Sequence, residues 1–586
     1  MCRYNGGEMK KAVLLLVLSV IVGVLYPLQA LAYSGMGTGT PSGPYLITDC
    51  TQLQEMRDNL DGNYRLANDI NCNLMGLAWE PIGFDTNFPF TGTFDGDNYT
   101  IFNLGYSGGM YAGLFGNVSD ATLKNVSFSS ANITSTGMAG VLAGTTLNST
   151  IEHVTVTNSA VTSELNAGGL VGILQSTTLS DSATYNTSVS GRSPATFGSQ
   201  LGGLIGISTG STISRVSSSG YVTQNAEAIN NSNRFGGLIG SSTSDVISDS
   251  YSTVAVSGYS NIGGLIGFAS STSLAQTYAS GAIEGDSDIG GLIGYEGLAY
   301  IVNSFSQSAA TGILNVGGLI GHAVAVGGSP VNSTWDITLS GVADCVGYDQ
   351  SISFPTTCTG VNPSNSAPGY FINNNTQSPL DTWDFNIVWQ TTAGLPILIT
   401  TPDRADNVHV TRSPTSIIVT WEVPATTGGN PVTSYDLKYR PESSIATTNV
   451  TGITPTPGST QYTIPGLTPN TSYIIEIRAH NARGTGIWAG FITSTLALPV
   501  VTTSTPPAAM QASSTLAPDM AVTETPTPIE TPTTTPKDSV DAVTASDDVK
   551  TEATQGNNPL GLVLIIVGVI VGAGSLVLVL RYFAKK

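Results

Sequence analysis

Charge, histidine and cysteine are all scarce in this sequence. Only 10% of its 586 residues are Asp, Glu, Lys or Arg, and 20 basic side chains face 40 acidic ones, for a net charge of −20. Such a surface repels phosphate backbones and anionic head groups, which excludes nucleic acid as a partner. The four histidines, His153, His322, His409 and His480, stand far apart with no HExxH pair, His–Cys set or triad spacing. No metal site and no cofactor are expected. Uninterrupted apolar runs are confined to the two ends.

The first run follows Met9 as two lysines, an apolar stretch and Ala30-Leu31-Ala32, the small-x-small form of a signal-peptidase site. Residues 1–32 are therefore expected to be a signal peptide, with the mature chain starting near Tyr33 and Met9 a rival to Met1 as the start. The second run, residues 559–580, is apolar and uncharged over about 20 residues, enough to cross a bilayer as a helix. Arg581, Lys585 and Lys586 follow it, so residues 581–586 are expected in the cytoplasm and the acidic bulk outside. The expected location is the cell membrane, crossed once, with the ectodomain extracellular.

Besides Cys2, the cysteines fall into two local pairs, Cys50 with Cys72 and Cys345 with Cys358. An exported chain favours disulfides, and the local pairs are expected among the three pairings that four cysteines allow.

What is abundant is glycine, 67 residues of it, and it recurs in register. Gly-Gly-Leu-(Ile/Val)-Gly appears six times between residues 168 and 321, after degenerate copies at 112–116 and 139–144. The second glycines are Gly113, Gly140, Gly169, Gly203, Gly237, Gly264, Gly291 and Gly318, in steps of 27, 29, 34, 34, 27, 27 and 27. Ten residues after them comes an apolar column, Leu123, Leu179, Ile213, Ile247, Leu274 and Ile301. Between the columns β-branched residues alternate, without a helical stripe. One such unit buries no core alone, but stacked units do, and a 27-residue step suits one coil of a parallel β-helix. The two longer steps place loop insertions at residues 192–200 and 225–233, where a repeat scaffold most readily carries specificity. Ahead of the repeats, Thr51 and Gln54 have capping-box spacing, and Leu53, Met56 and Leu60 stripe a short helix that would cover the open end.

These motifs resemble the GLUG-motif family of bacterial and archaeal surface proteins. The resemblance covers residues 44–400 and includes the opening stretch 45–70, the PIG…PFTGTFDG segment 81–96 and the WDF…VW segment 383–398. It implies a right-handed parallel β-helix. Some members are zinc peptidases, but the peptidase motif is missing here.

Residues 403–497 resemble a fibronectin type III domain, through Trp421 in SIIVTWEV and the stretch LTPNTSYIIEIRAHNARGTG. The resemblance implies a seven-strand sandwich with Trp421 and Leu467 in its core and Tyr473 at a tyrosine corner. Arg483-Gly484-Thr485 lies where integrin-binding members carry RGD, without the aspartate. Residues 498–558 are rich in Thr, Pro, Ala and Ser and are expected to form an extended disordered stalk.

The whole is thus expected to be all-β, a β-helix and a sandwich, plus one transmembrane helix. Asp245, Asp249, Asp286 and Asp288 are the carboxylates that a β-helix polysaccharide-degrading enzyme would use, but acids in Ser/Gly turns ordinarily support the turn. The chain is expected not to be an enzyme but an adhesin or interaction protein that binds an extracellular protein or carbohydrate. The alternatives are a structural surface-layer spacer and, behind it, the polysaccharide-degrading enzyme.

Overall fold

The computed structural model describes residues 33–73, 79–192, 198–224, 233–324, 330–350, 358–362, 370–444, 446–499, 570–572 and 575–577. Residues 1–501 form one compact unit and residues 502–586 a second.

The first unit is all-β. Its repeats stack as a parallel solenoid in which equivalent strands of successive coils hydrogen-bond in register. One column of Cα partners runs through ten coils: Tyr45, Tyr64, Phe94, Leu123, Ile151, Leu179, Ile213, Ile247, Leu274 and Ile301. Nine steps of about 4.8 Å make it about 43 Å long. From Tyr64 onward its side chains are at most 1% exposed. Ile151 belongs to this column although it stands eleven residues after Gly140, because the degenerate motif around Gly140 holds one extra residue.

The glycine motif lies where two sheets meet. In one coil the strand Arg234–Gly236 ends on the first glycine, and the strand Ile239–Thr243 begins after Gly237 and Leu238. Coils approach most closely at this corner. A Cβ on Gly237 would lie 2.1 Å from the Gly264 carbonyl oxygen and 2.3 Å from Ser252 Oγ. Leu170, Leu204, Leu238, Leu265, Leu292 and Leu319 form a second fully buried column there. Another interior corner is polar: Ser149 N donates to Thr177 Oγ1 (3.3 Å), Thr177 N to Ser211 Oγ (3.2 Å) and Ser211 N to Asp245 Oδ1 (2.8 Å). Backbone groups that turn inward are satisfied in this way.

The opening helix is shorter than the sequence pattern suggests, Cys50–Glu55 followed by a 3-10 turn Met56–Asp58. Asp49 caps it, not Thr51: the Asp49 carboxylate accepts from Thr51 N and Gln52 N, both at 2.9 Å. An aspartate two residues earlier outcompetes a threonine because its charge meets the helix dipole. Gln54 instead exchanges two hydrogen bonds with the Glu80 backbone, tying the cap to the second coil. Cys50 is bonded to Cys72 and Cys345 to Cys358. Of the expected insertions, residues 193–197 and 225–232 lie outside the described residues.

Beyond the last coils the chain folds back along the side of the solenoid. Tyr251, Tyr278 and Phe305 stack on successive coils with centroids 4.7 and 4.9 Å apart, and Trp389 packs on Tyr278 and Phe305. Trp383 Nε1 donates to the Asn332 carbonyl at 3.0 Å. This pad carries the chain to a β-sandwich in which one sheet is Asp406–Arg412, Ser416–Glu422 and Thr460–Pro465. The other is built on Ser434–Pro441, Ser472–Asn481 and Ala489–Ser494. Trp421 is fully buried edge-on to Tyr435, Leu467 is buried, and the Tyr473 hydroxyl accepts from Thr468 N at 2.9 Å.

The expected signal peptide and most of the expected stalk lie outside the described residues. So does the expected span, except Ile570–Gly572 and Ser575–Val577. Those six pair as two short antiparallel strands, not as a helix. No helix among the described residues is long and apolar enough to cross a membrane.

Candidate functional site: the seam between coil corners and sandwich

Eight successive coils turn one outer corner through a residue with left-handed backbone: Asn125, His153, Asp181, Arg215, Asp249, Gln276, Asn303 and Asn332, with φ between 49° and 54°. Asn and Asp tolerate this region, whereas it costs a long side chain roughly 1–2 kcal/mol. Arg215 and Gln276 pay that cost, and strain of this kind concentrates where a site is held. The column stands twelve residues after the motif's second glycine, thirteen for His153 and fourteen for Asn332, a signal the sequence reading passed over.

The sandwich lies against these corners. Between residues 33 and 499 the chain has twelve Lys and Arg, and eight of them line the seam: Arg65, Lys124, Arg215, Arg404, Lys438, Arg440, Arg478 and Arg483. Arg215 grips Asp181 on the next corner with two bonds of 2.7 and 2.6 Å. Asp249 reaches across to Arg483 of the sandwich, and both side chains are mostly buried. Lys438 pairs with Glu476 at 2.9 Å and Arg478 with Asp436 at 2.9 Å, while both cations sit over the Trp488 ring at 4.2 and 4.3 Å. Asn98 Nδ2 donates to the Trp488 carbonyl (3.0 Å), and Arg404 Nη2 returns a bond to the Asn98 carbonyl (2.8 Å).

Three clefts follow the seam. One of about 510 Å³ lies among Lys124, Glu152, His153 and Trp488, one of about 340 Å³ by Tyr185 and Tyr251, and one of about 650 Å³ beside the first coils. Burial raises the Asp97 carboxyl to about 6 despite the Arg65 charge. Burial also pulls Asp436 upward, but hydrogen bonds from Arg478 and His480 hold it below the usual carboxylate range. These paired charges suit recognition of charged groups.

The four candidate acids do not converge. Asp245, 1% exposed, accepts from Ser211 N and Ser242 Oγ as the last rung of the interior polar ladder. Asp288 accepts from Asn315 Nδ2 (2.6 Å) and faces His322 Nδ1 (3.1 Å) at a different corner, and the Asp286 carbonyl serves Ile313 and Leu314 N–H groups. Only Asp249 reaches the seam. Arg483, first residue of the Arg-Gly-Thr loop, is turned inward onto it and is not displayed. The second motif glycines line the opposite, motif corner, away from the seam.

Residues 401–495 match the fibronectin type III domain family, and residues 49–158 match the M26 IgA1-specific metallo-endopeptidase N-terminal region. Among curated proteins, the chain is 36% identical over 117 residues to halomucin of Haloquadratum walsbyi, covering 18% of this chain and 1% of halomucin. It is 33% identical over 130 residues to protein sax-3 of Caenorhabditis elegans, covering 22% of this chain and 9% of sax-3. The chain therefore spans only a small part of either relative. Among solved structures, a Bacteroides ovatus protein provisionally described as an immunoglobulin A1 protease aligns with 62% of this chain and 94% of its own (18% identity, TM-score 0.36). An IgA1 protease aligns with 49% of this chain and 21% of its own (18% identity, TM-score 0.34).

The chain is thus an all-β protein with a β-solenoid and a fibronectin type III domain. The expectation that it is not an enzyme is corrected by the match at residues 49–158, which points toward a protease. Histidine spacing misled that expectation because the relationship is carried by the cap and first coils, not by metal ligands. Among the described residues no three His, Cys, Asp or Glu side chains gather as a metal set.

Proposed function

We propose that this chain is an exported, membrane-anchored surface protein whose solenoid and type III domain act together to recognise an extracellular macromolecule. A protein ligand comes first and a glycan second. The observation that carries this reading is the seam, where a chain poor in positive charge gathers eight of the twelve Lys and Arg between residues 33 and 499 around clefts between two β-modules. Clefts between domains are where ligands ordinarily bind. The endopeptidase match supports a polypeptide as ligand, and the apolar, uncharged run at 559–580 followed by Arg581 supports the anchor.

The test has two arms. Protease shaving of intact cells is expected to release the ectodomain; an ectodomain that stays protected would overturn the topology. The purified full chain is then presented with immunoglobulin A1 and with a glycan array, and the immunoglobulin is also incubated with it in the presence of zinc and resolved by electrophoresis. Binding or fragmentation of the immunoglobulin supports recognition of protein. Absence of binding on both surfaces, together with intact immunoglobulin, would leave only a spacer.

A further inference from the structure

The tripeptide Asn-x-Ser/Thr, with x other than proline, occurs eleven times in this chain. In an exported protein it is the acceptor for asparagine-linked sugar where the carboxamide stands free at the surface. The fold divides the eleven. One, at Asn230, lies outside the described residues. Asn117 and Asn374 are 5% and 7% exposed, and their Nδ2 atoms donate to the Gly83 carbonyl (2.9 Å) and the Tyr370 carbonyl (2.6 Å). Asn98 and Asn125 line the seam, where their Nδ2 atoms donate to the Trp488 carbonyl and to Asp95 Oδ1, both at 3.0 Å. Asn332 is half-buried, with Trp383 bonded to its carbonyl. Asn148 and Asn186 are exposed but bridge neighbouring coils, Nδ2 donating to Asp120 Oδ1 (2.9 Å) and Asn158 Oδ1 (2.8 Å).

Asn132, Asn449 and Asn470 are left. All three are exposed, and none of their carboxamides has a hydrogen-bond partner among the described residues. Asn132 opens the strand Asn132–Ser135, where fully buried Ile133 turns Asn132 and Thr134 outward together. Asn449 and Thr451 flank the inward-facing Val450 on Thr448–Ile453 in the same way. That strand pairs with only Ser434–Pro441 among the described residues, so its other edge is open. Asn470 stands in a turn with left-handed backbone, φ 52°, two residues before Ser472. None of the three lines a seam cleft.

We propose that Asn132, Asn449 and Asn470 carry asparagine-linked oligosaccharide, and that the seam is kept free of it. The donor is an oligosaccharide activated at C1 by a lipid diphosphate, and a membrane glycosyltransferase of the exporting cell joins the two. Asn Nδ2 forms the bond to C1, the bond from C1 to the phosphate oxygen breaks, the lipid diphosphate leaves with its electrons, and the proton lost from Nδ2 goes to solvent. Sugar on Asn449 would also cover the open edge of its strand against pairing with another chain. At Asn98 the same sugar would displace the Trp488 carbonyl and with it the sandwich. The inference rests on the exported, surface-displayed reading above and adds a modification to it.

Peptide mass spectrometry of the full chain from the cells that make it, and of the ectodomain released by shaving, tests it. Oligosaccharide is expected on the peptides that hold Asn132, Asn449 and Asn470, with Asn98, Asn117, Asn125 and Asn374 bare. Thr134→Ala, Thr451→Ala and Ser472→Ala keep each asparagine but remove the hydroxyl that the acceptor tripeptide requires. Each is expected to lose its own glycan and no other. A released ectodomain with none of the three occupied, or glycan on Asn98 or Asn117, would overturn the proposal. Bare asparagines on a released ectodomain strike this inference alone, whereas an ectodomain that stays protected strikes the topology as well, so the two failures are distinguishable.

Discussion

Two columns run along the same coils and obey opposite rules. The inner one, from Tyr64 to Ile301, repeats large apolar side chains, because each member stacks on its equivalents above and below and packs into one continuous core. The outer corner column repeats a backbone shape while its side chains change from Asn to His, Asp, Arg, Asp and Gln. A solenoid thus separates what must be constant from what is free to vary. Variation is strongest where the corner faces the sandwich, and there the Asp181–Arg215 pair is followed on the next corner by the Asp249–Arg483 pair.

The comparison predicts its largest effect inside. Ile247 is fully buried between Ile213 and Leu274, so Ile247→Asp places an unpaired charge in the stack and is expected to cost about 4 kcal/mol or more. Val246, its neighbour, is 55% exposed, and Val246→Asp is expected to stay within about 0.5 kcal/mol. Thermal unfolding of the full chain measures both. Equal effects would mean that the column does not form the core.

The inner column was legible because alternation and a fixed period leave it in plain view. Ile151 escaped only through a one-residue offset. Corner residues were harder: left-handed backbone selects for Asn, Asp, Ser and Gly, the residues that any loop favours. His153, Arg215 and Gln276 in that column were the informative exceptions. The lateral packing of the sandwich was not legible, because Asn98 and Trp488 lie 390 residues apart and no local pattern encodes their contact. Asp245 shows the converse error, an acid read as a surface candidate that is an interior rung.

A middle-sized effect is expected across the seam. The Asp249 and Arg483 side chains are 15% and 11% exposed, so removing one leaves the other largely desolvated. Asp249→Ala and Arg483→Ala are each expected to destabilise, while the double variant loses less than their sum, with a coupling of about 1–3 kcal/mol. Urea unfolding of the four chains measures it. Strict additivity would detach the Arg-Gly-Thr loop from the corner column.

The smallest effect is the sharpest test of what the corner column is for. Gln276 and Arg215 share the same left-handed backbone, at φ 52° and 53°. Glycine relieves that strain in either place, by roughly 1 kcal/mol before the greater freedom of the unfolded chain is subtracted. Gln276 lines none of the seam clefts, so Gln276→Gly is expected to be neutral or to stabilise by about 0.5 kcal/mol. Arg215 lies in the seam with two bonds to Asp181, and losing them is expected to outweigh the relief, so that Arg215→Gly destabilises by about 1–2 kcal/mol. Opposite signs at one backbone geometry, read from paired denaturation curves, would mean that the strain at Arg215 is retained for the charge it positions. If both variants gain stability, the arginine is incidental there, and the sandwich is held by the Asp249–Arg483 contact and the contacts around Trp488 alone.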